Sequence, residues 1–184
     1  AIGREALQSN TTADNNTAVG YKSLEANTTG TLNVAVGSCA LLCNITGAEN
    51  TAVGMNAARL TTGGANVAVG HSALEDNTSG ASNTALGREA LHTNTTASNN
   101  VAVGKRALYL NTTGATNTAV GQNSLHSNTT ASDNTAVGAG SLYANLTGAS
   151  NVAIGRQALA ANTASNNTAV GFESLKANTS GQNN

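Results

Sequence analysis

The sequence predicts a repeat protein that is mainly β, a β-solenoid whose coils each hold one short strand and one helical or 3₁₀ turn. A tripeptide of the pattern Ala-[Val/Ile/Leu]-Gly recurs along all 184 residues at steps of 17, with two steps of 16. Charged residues make up 9% and aromatic residues 2% of the chain, which has 20 glycines and no proline. A unit of this length cannot bury a hydrophobic face alone, so successive copies must stack.

About eleven copies of the repeat fill residues 1–184 as a single array, with no linker and no second domain. The consensus is N-[TV]-A-V-G-x-x-[AS]-L-x-x-N-T-[TS]-[GA]-x-x, and the outermost copies are incomplete. We therefore expect an excerpt of a longer fibre. The fourth copy (Asn50 to Ala65) lacks the second asparagine, and the tenth (Asn151 to Asn166) is short just after Asn162. Both losses fall at one corner, which predicts a turn that tolerates deletion.

Each copy divides into a strand, a turn and a corner. The segment Asn-Thr-Ala-Val-Gly predicts a short strand because β-branched residues occupy its second and fourth positions. Its glycine suits a positive φ or a tight corner. The next segment, residues 21–26 in the second copy, predicts the helical or 3₁₀ turn. Residues 27–30, Asn-Thr-Thr-Gly, then predict the second corner.

Positions that hardly vary between copies predict the core, and variable positions predict the surface. The inward positions begin with Ala18, Val19, Ser23 and Leu24. The outward positions begin with Tyr21, Lys22, Glu25 and Ala26, and they hold nearly every charge. These few small apolar residues in each copy make a thin core for an isolated chain. We therefore infer that a second surface is buried between chains. The position that alternates Thr17 and Val34 is the candidate contact.

Two columns of asparagine predict amide ladders, in which each side chain bonds its own turn and the next copy. The first column is Asn16, Asn33, Asn50, Asn66, Asn83, Asn100, Asn117, Asn134, Asn151 and Asn167. The second is Asn10, Asn27, Asn44, Asn77, Asn94, Asn111, Asn128, Asn145, Asn162 and Asn178. Glycosylation is the rival interpretation, because most of the second column begins an Asn-x-[Ser/Thr] motif that the repeat generates automatically.

Paired threonines raise a second alternative, binding to ice through a regular rank of hydroxyls. The ranks begin at Thr11-Thr12 and Thr28-Thr29. Adjacent residues of an extended segment point to opposite faces, so only one rank can face outward.

No catalytic, cofactor-binding or metal site is predicted, and the chain is not expected to be an enzyme. Cys39 and Cys43 could form a local disulfide, but two thiols are too few for structural zinc. The histidines (His71, His92 and His126) and the outward aromatic residues (Tyr21, Tyr109, Tyr143 and Phe172) are interpreted as scattered surface residues. A net charge of −1 argues against nucleic-acid binding, and no apolar run is long enough for membrane insertion.

The pattern N-T-A-V-G-x-x-[AS]-L-x-x-N-T-[TS]-G resembles repeats of phage tail-fibre proteins, often found upstream of an endosialidase-type intramolecular chaperone. It is similar, more loosely, to the N-S-V-A-I-G-x-x-S head repeats of trimeric autotransporter adhesins, although the step of 17 is longer. The resemblance implies a homotrimeric, β-rich fibre segment on a virion or bacterial surface.

The function expected from this resemblance is a structural shaft of an extracellular or virion fibre. Such a shaft spaces and presents a surface-binding tip, with host or cell-surface glycans bound through other segments. Its partner would be further copies of the same chain. The alternative is a solenoid that binds ice or glycans directly through its threonine and asparagine columns.

Overall fold

The computed structural model describes all of residues 1–184 and shows a parallel β-solenoid, as the repeat predicts. Ten strands stack in chain order into one parallel sheet, each in register with the next, so that Ala18 pairs with Ala35. The strands are β1 Thr17–Val19, β2 Val34–Val36, β3 Thr51–Val53, β4 Val67–Val69, β5 Thr84–Leu86, β6 Val101–Val103, β7 Thr118–Val120, β8 Thr135–Val137, β9 Val152–Ile154 and β10 Thr168–Val170. Ile2 adds an isolated parallel bridge to Val19.

Hydrogen bonds between coils run around the whole perimeter and not only along the sheet. Of 117 backbone hydrogen bonds, 99 lie outside the regular strand pairing. The amide of Leu24 donates to the Ala40 carbonyl of the next coil at 3.0 Å, and the amide of Thr28 donates to the Ile45 carbonyl at 2.9 Å. Turns and corners therefore stack on their counterparts as the strands do, and this satisfies backbone groups that would otherwise be buried without partners.

The predicted helical or 3₁₀ turn is wrong, because residues 21–26 and their equivalents form turns without any helix. Lys22 has a φ of 55° and Leu24 a φ of 51°, which are left-handed values, whereas both predicted helices require negative φ at every residue. With these left-handed φ values, the amides of Leu24 and Ala26 point toward the next coil and donate hydrogen bonds to it, whereas in a helix they would donate to carbonyls earlier in the same segment. Each left-handed non-glycine residue costs about 1–2 kcal/mol, which the bonds between coils must offset.

The core is a continuous stack of alanine and leucine side chains. Twenty-five buried residues, all alanine or leucine of the strand centre and the following turn, form one cluster along the solenoid. Serine replaces the turn alanine in some coils and is also buried, as at Ser23. The Ser23 hydroxyl donates to the Gly20 carbonyl at 3.1 Å, so a serine fits this position without leaving an unpaired polar group.

The prediction that Val19 faces the core is wrong. Side chains alternate along a strand, and since Ala18 points inward, Thr17 and Val19 both point outward. At the third strand position, Val53 is 36% and Ile154 40% exposed. The sheet therefore has an outer face of two columns, called the sheet face below. Its first column runs Thr17, Val34, Thr51, Val67, Thr84, Val101, Thr118, Thr135, Val152 and Thr168, and its second Val19, Val36, Val53, Val69, Leu86, Val103, Val120, Val137, Ile154 and Val170.

The glycine that ends each strand has the positive φ that the sequence predicts. Gly87 adopts a φ of +132° and packs directly on Gly104 of the next coil. A Cβ at Gly87 would lie 2.7 Å from the carbonyl carbon of Gly104, closer than real side chains approach a backbone. The corner thus requires glycine both for its backbone angle and for the close approach of successive coils.

We expect Gly87→Ala to lower the free energy of unfolding by roughly 3 kcal/mol or more, because it combines the left-handed cost with a backbone clash. Gly171→Ala is the matched control, since Gly171 has a φ of +127° but only the Ser174 Cβ near its added carbon, at 3.9 Å. That variant should lose only roughly 1–2 kcal/mol. Equal losses in chemical denaturation would show that the stacking of glycines does not limit coil spacing.

Candidate functional site

The asparagines before each strand form a buried ladder, called the strand ladder. The backbone amide of Asn100 donates to Oδ1 of Asn83 at 3.0 Å, and Nδ2 of Asn100 donates to the Gly114 carbonyl of the next coil at 2.9 Å. Each residue therefore joins the coil on either side of it. The ladder comprises Asn16, Asn33, Asn50, Asn66, Asn83, Asn100, Asn117, Asn134, Asn151, Asn167 and the terminal Asn184.

The asparagines that open the second corner form a parallel corner ladder. Nδ2 of Asn94 donates to Oδ1 of Asn77 at 2.9 Å and to the Ala97 carbonyl of its own corner at 3.0 Å. Oδ1 of Asn94 accepts in turn from Nδ2 of Asn111 at 2.9 Å. The interior members of this ladder, from Asn27 to Asn145, are fully buried. Their amide nitrogens are enclosed and bonded, so the folded chain offers them poorly for glycosylation.

The two short coils interrupt the corner ladder. Thr61 lies where the other coils have asparagine, and Asn162 donates to the Ala164 carbonyl but not to the ladder residue before it. Consequently Oδ1 of Asn44 and Oδ1 of Asn145, each in the coil that precedes a short one, are buried without a hydrogen-bond partner. Deletion at the corner is tolerated, but each deletion leaves one unsatisfied acceptor, which costs about 1–3 kcal/mol.

Threonines at the corner divide into one rank that bonds between coils and one that faces solvent. The Thr95 hydroxyl donates to the Thr112 carbonyl at 3.1 Å, and that of Thr112 donates to the Thr129 carbonyl at 3.0 Å. Thr96 and Thr113 are exposed, as the alternation of side chains predicts. Before the last coil, only the outer rank has hydroxyls that make no hydrogen bond within the chain.

Outward side chains of the turn form a face rich in charge pairs. Glu89 accepts hydrogen bonds from Arg106 of the next coil and from Arg88 beside it. The hydrogen bond from Arg106 holds the pKa of Glu89 below its usual value, and that from Arg88 adds to the effect. In an earlier coil pair, Nε of Arg59 lies 3.0 Å from Oε1 of Glu75. These pairs link neighbouring coils on the surface, where each contributes about 0–1 kcal/mol.

Four aromatic rings form a continuous stack on this face. Ring centroids are 5.3 Å apart from His92 to Tyr109, 5.3 Å from Tyr109 to His126 and 5.0 Å from His126 to Tyr143. The guanidinium of Arg106 lies 5.2 Å from the Tyr109 ring centre. Sequence reasoning treated these residues as scattered and missed the stack, although their regular spacing along the repeat places all four in one column.

The one cleft in the surface lies where this stack ends, and its volume is about 370 Å³. Polar and aromatic side chains that line it are Gln122, Asn123, Tyr143, Arg156 and Gln157. Ala139, Gly140 and Ala160 complete the lining, at positions where most other coils carry long side chains. The cleft therefore exists because three small residues fall together on consecutive coils.

The remaining candidate residues do not converge on a reactive centre. Cys39 and Cys43 are half-buried free thiols in this structure, and a disulfide between them stays a prediction. No three His, Cys, Asp or Glu side chains cluster closely enough to hold a metal ion. His71 is exposed on a separate coil from His92 and His126. No helix long and apolar enough to cross a membrane is present.

The fold and its two ladders define the class of the protein, a parallel β-solenoid with asparagine-bonded corners. No protein-family model, no curated protein and no solved structure matches the chain.

Removing one rung of the corner ladder should destabilise the solenoid. We expect Asn94→Ala to lower the free energy of unfolding by about 3 kcal/mol, because it leaves Oδ1 of Asn77 and Nδ2 of Asn111 each short of a partner. The matched control is Asn145→Ala, where Oδ1 has no donor to lose. The control should cost about 1 kcal/mol less. Equal costs in urea denaturation would contradict the role of the continuous ladder.

The aromatic stack should make stability depend on pH. Burial lowers the pKa of His126, and the nearby charge of Arg106 lowers it further. The unfolded chain therefore takes up the proton first, so the free energy of unfolding should fall as pH drops through about 6.5, the ordinary histidine pKa. Thermal unfolding from pH 8 to 5.5 measures this dependence. His126→Tyr retains the ring and should flatten the dependence, and an unchanged slope would contradict the assignment to His126.

Proposed function

We propose that the chain is a structural shaft segment of an extracellular or virion fibre, which spaces a surface-binding tip from its base. The observation that carries the proposal is that every part of the coil perimeter bonds to the next coil. Backbone amides of the strands, turns and corners all donate hydrogen bonds along the solenoid axis. Both asparagine ladders add side-chain hydrogen bonds in the same direction. At about 4.8 Å per strand, ten strands extend roughly 50 Å, which gives a thin rod that any further copies would lengthen.

The sheet face supports association of the shaft with further copies of itself. Its second column is an unbroken row of ten aliphatic side chains, from Val19 to Val170, with no charge on either column. Monomeric proteins seldom leave such a continuous apolar strip in water. Three chains that meet through these faces around a common axis would bury it, in agreement with the homotrimer that the sequence resemblance implies.

The alternative of ice or glycan binding through the repeated columns receives less support from the geometry. The asparagine columns are buried within the ladders, and the hydroxyls of the inner threonine rank donate hydrogen bonds to carbonyls of the next coil. The two short coils also interrupt the outer threonine rank. The columns that would have to touch a ligand are thus mostly occupied by structural bonds.

Light scattering on the purified chain tests the shaft and its self-association together. We expect a mass near three chains that persists on dilution. The double variant Val103→Glu/Val120→Glu, which places charges on the sheet face, should shift the mass to one chain. Thr96→Glu/Thr113→Glu is the control and should remain associated, because these threonines lie at the exposed corner.

A single-chain mass for the unmodified protein would contradict self-association through the sheet face. Thermal hysteresis in that monomer would then favour the ice-binding alternative. Loss of association in both double variants would show that added charge, and not its position on the sheet face, controls the mass.

A further inference from the structure

We propose that the cleft between the coils of Gln122, Ala139 and Arg156 binds an acidic sugar residue, a pyranose that carries a carboxylate. This is a binding role for the side of the rod and goes beyond that of a shaft. It would give the segment its own contact with acidic polysaccharide at a single place along its length.

The floor of the cleft is an aromatic ring with one open face. His126 stacks on one side of Tyr143 at 5.0 Å. The same position of the next coil is Ala160, so no ring covers the other side, and Tyr143 remains 42% exposed. Because His126 fixes one face of the Tyr143 ring, the open face can support a sugar. The C–H groups of the sugar would pack on the aromatic carbons while its hydroxyls bond to polar groups around the ring.

The wall of the cleft contributes an unpaired positive charge. Arg156 forms no salt bridge, in contrast to six of the seven other lysines and arginines of the chain. Its guanidinium lies 5.9 Å from the Phe172 ring centre, which supports the side chain from the next coil. No carboxylate lines the cleft. A planar guanidinium with free donors fits a carboxylate through two parallel hydrogen bonds.

Three amide side chains surround the charge without protein partners. Gln122, Asn123 and Gln157 make no side-chain hydrogen bond, whereas the ladder asparagines are bonded in both directions. Each amide offers donors and an acceptor, which together match neighbouring hydroxyl groups that both donate and accept. Hydrogen phosphate carries fewer hydroxyl donors than a sugar, so it would leave more of the amide oxygens unmatched. The combination of ring, guanidinium and amides thus favours an acidic sugar over a simple anion.

The space itself depends on small residues, which allows a direct test. Gly140 has a φ of +67°, and the equivalent residues Asn123 and Gln157 carry side chains at a φ of 57°. A glutamine at this position is therefore compatible with the backbone and would fill the cleft. The volume of about 370 Å³ lies within the range of small-molecule sites.

The experiment titrates methyl β-D-glucuronide into the ¹⁵N-labelled protein and follows amide shifts by NMR. We expect saturable shifts confined to residues around the cleft, with a dissociation constant of about 1 mM for this single sugar. Methyl β-D-glucoside, which lacks the carboxylate, should bind at least tenfold more weakly, and inorganic phosphate should cause no saturable shift at the cleft.

The variants Tyr143→Ala, Arg156→Gln and Gly140→Gln should each weaken glucuronide binding at least tenfold, with circular dichroism confirming that they fold. Tyr21→Ala is the matched control, because Tyr21 also has cations nearby (Arg4 at 5.8 Å and Lys22 at 5.7 Å) but lies outside the cleft. It should bind normally. Equal binding of glucoside and glucuronide, saturable phosphate binding at the cleft, or unchanged binding in Gly140→Gln would each overturn the proposal.

Discussion

Residues of each coil stack directly on their counterparts in the next coil, and this stacking determines which side chains can occupy every position. The strand glycines enforce it most strictly, because successive corners approach so closely that a Cβ at Gly87 would meet the backbone of Gly104. Once the spacing is set by glycine and by the parallel strands, every other position is repeated at the same interval. Alanine, leucine and asparagine then form continuous columns, and left-handed residues such as Leu24 are stabilised by amides that bond between coils.

The same constraint explains how polar residues can occupy the interior. A single buried asparagine would cost free energy, but a column of them supplies each donor with an acceptor one coil away. Where the column is interrupted by a short coil, this pairing is lost, and Oδ1 of Asn44 and Oδ1 of Asn145 have no hydrogen-bond partner. The array tolerates these two interruptions since the strand ladder and the backbone bonds continue past them.

Outward positions can vary between coils because their side chains are not enclosed by the stack. The kind of side chain they carry differs along the length of the solenoid. Charge pairs occupy the turn face from the first coils to Glu89 and Arg106 and recur at Glu173 and Lys176. An aromatic stack runs from His92 to Tyr143, and the cleft lies where the stack ends. The sheet face, in contrast, is uncharged in every coil, with threonine or valine in its first column and only aliphatic residues in its second. One side of the solenoid is therefore uniform, as the proposed association with identical chains would require, while another varies from coil to coil and holds the cleft.

The repeat pattern alone predicts the solenoid, its coil length, the glycine corners and the identity of the ladder residues, because it restricts every copy to one geometry. It also indicated the corner that tolerates deletion. The assembled solenoid is needed to show that residues 21–26 form left-handed turns and not a helix, since the energy that favours these turns comes from the neighbouring coil. It likewise decided that Val19 faces outward and that Tyr143, Arg156 and Gly140 share a cleft. Those features depend on contacts between copies, which the pattern of a single copy does not contain.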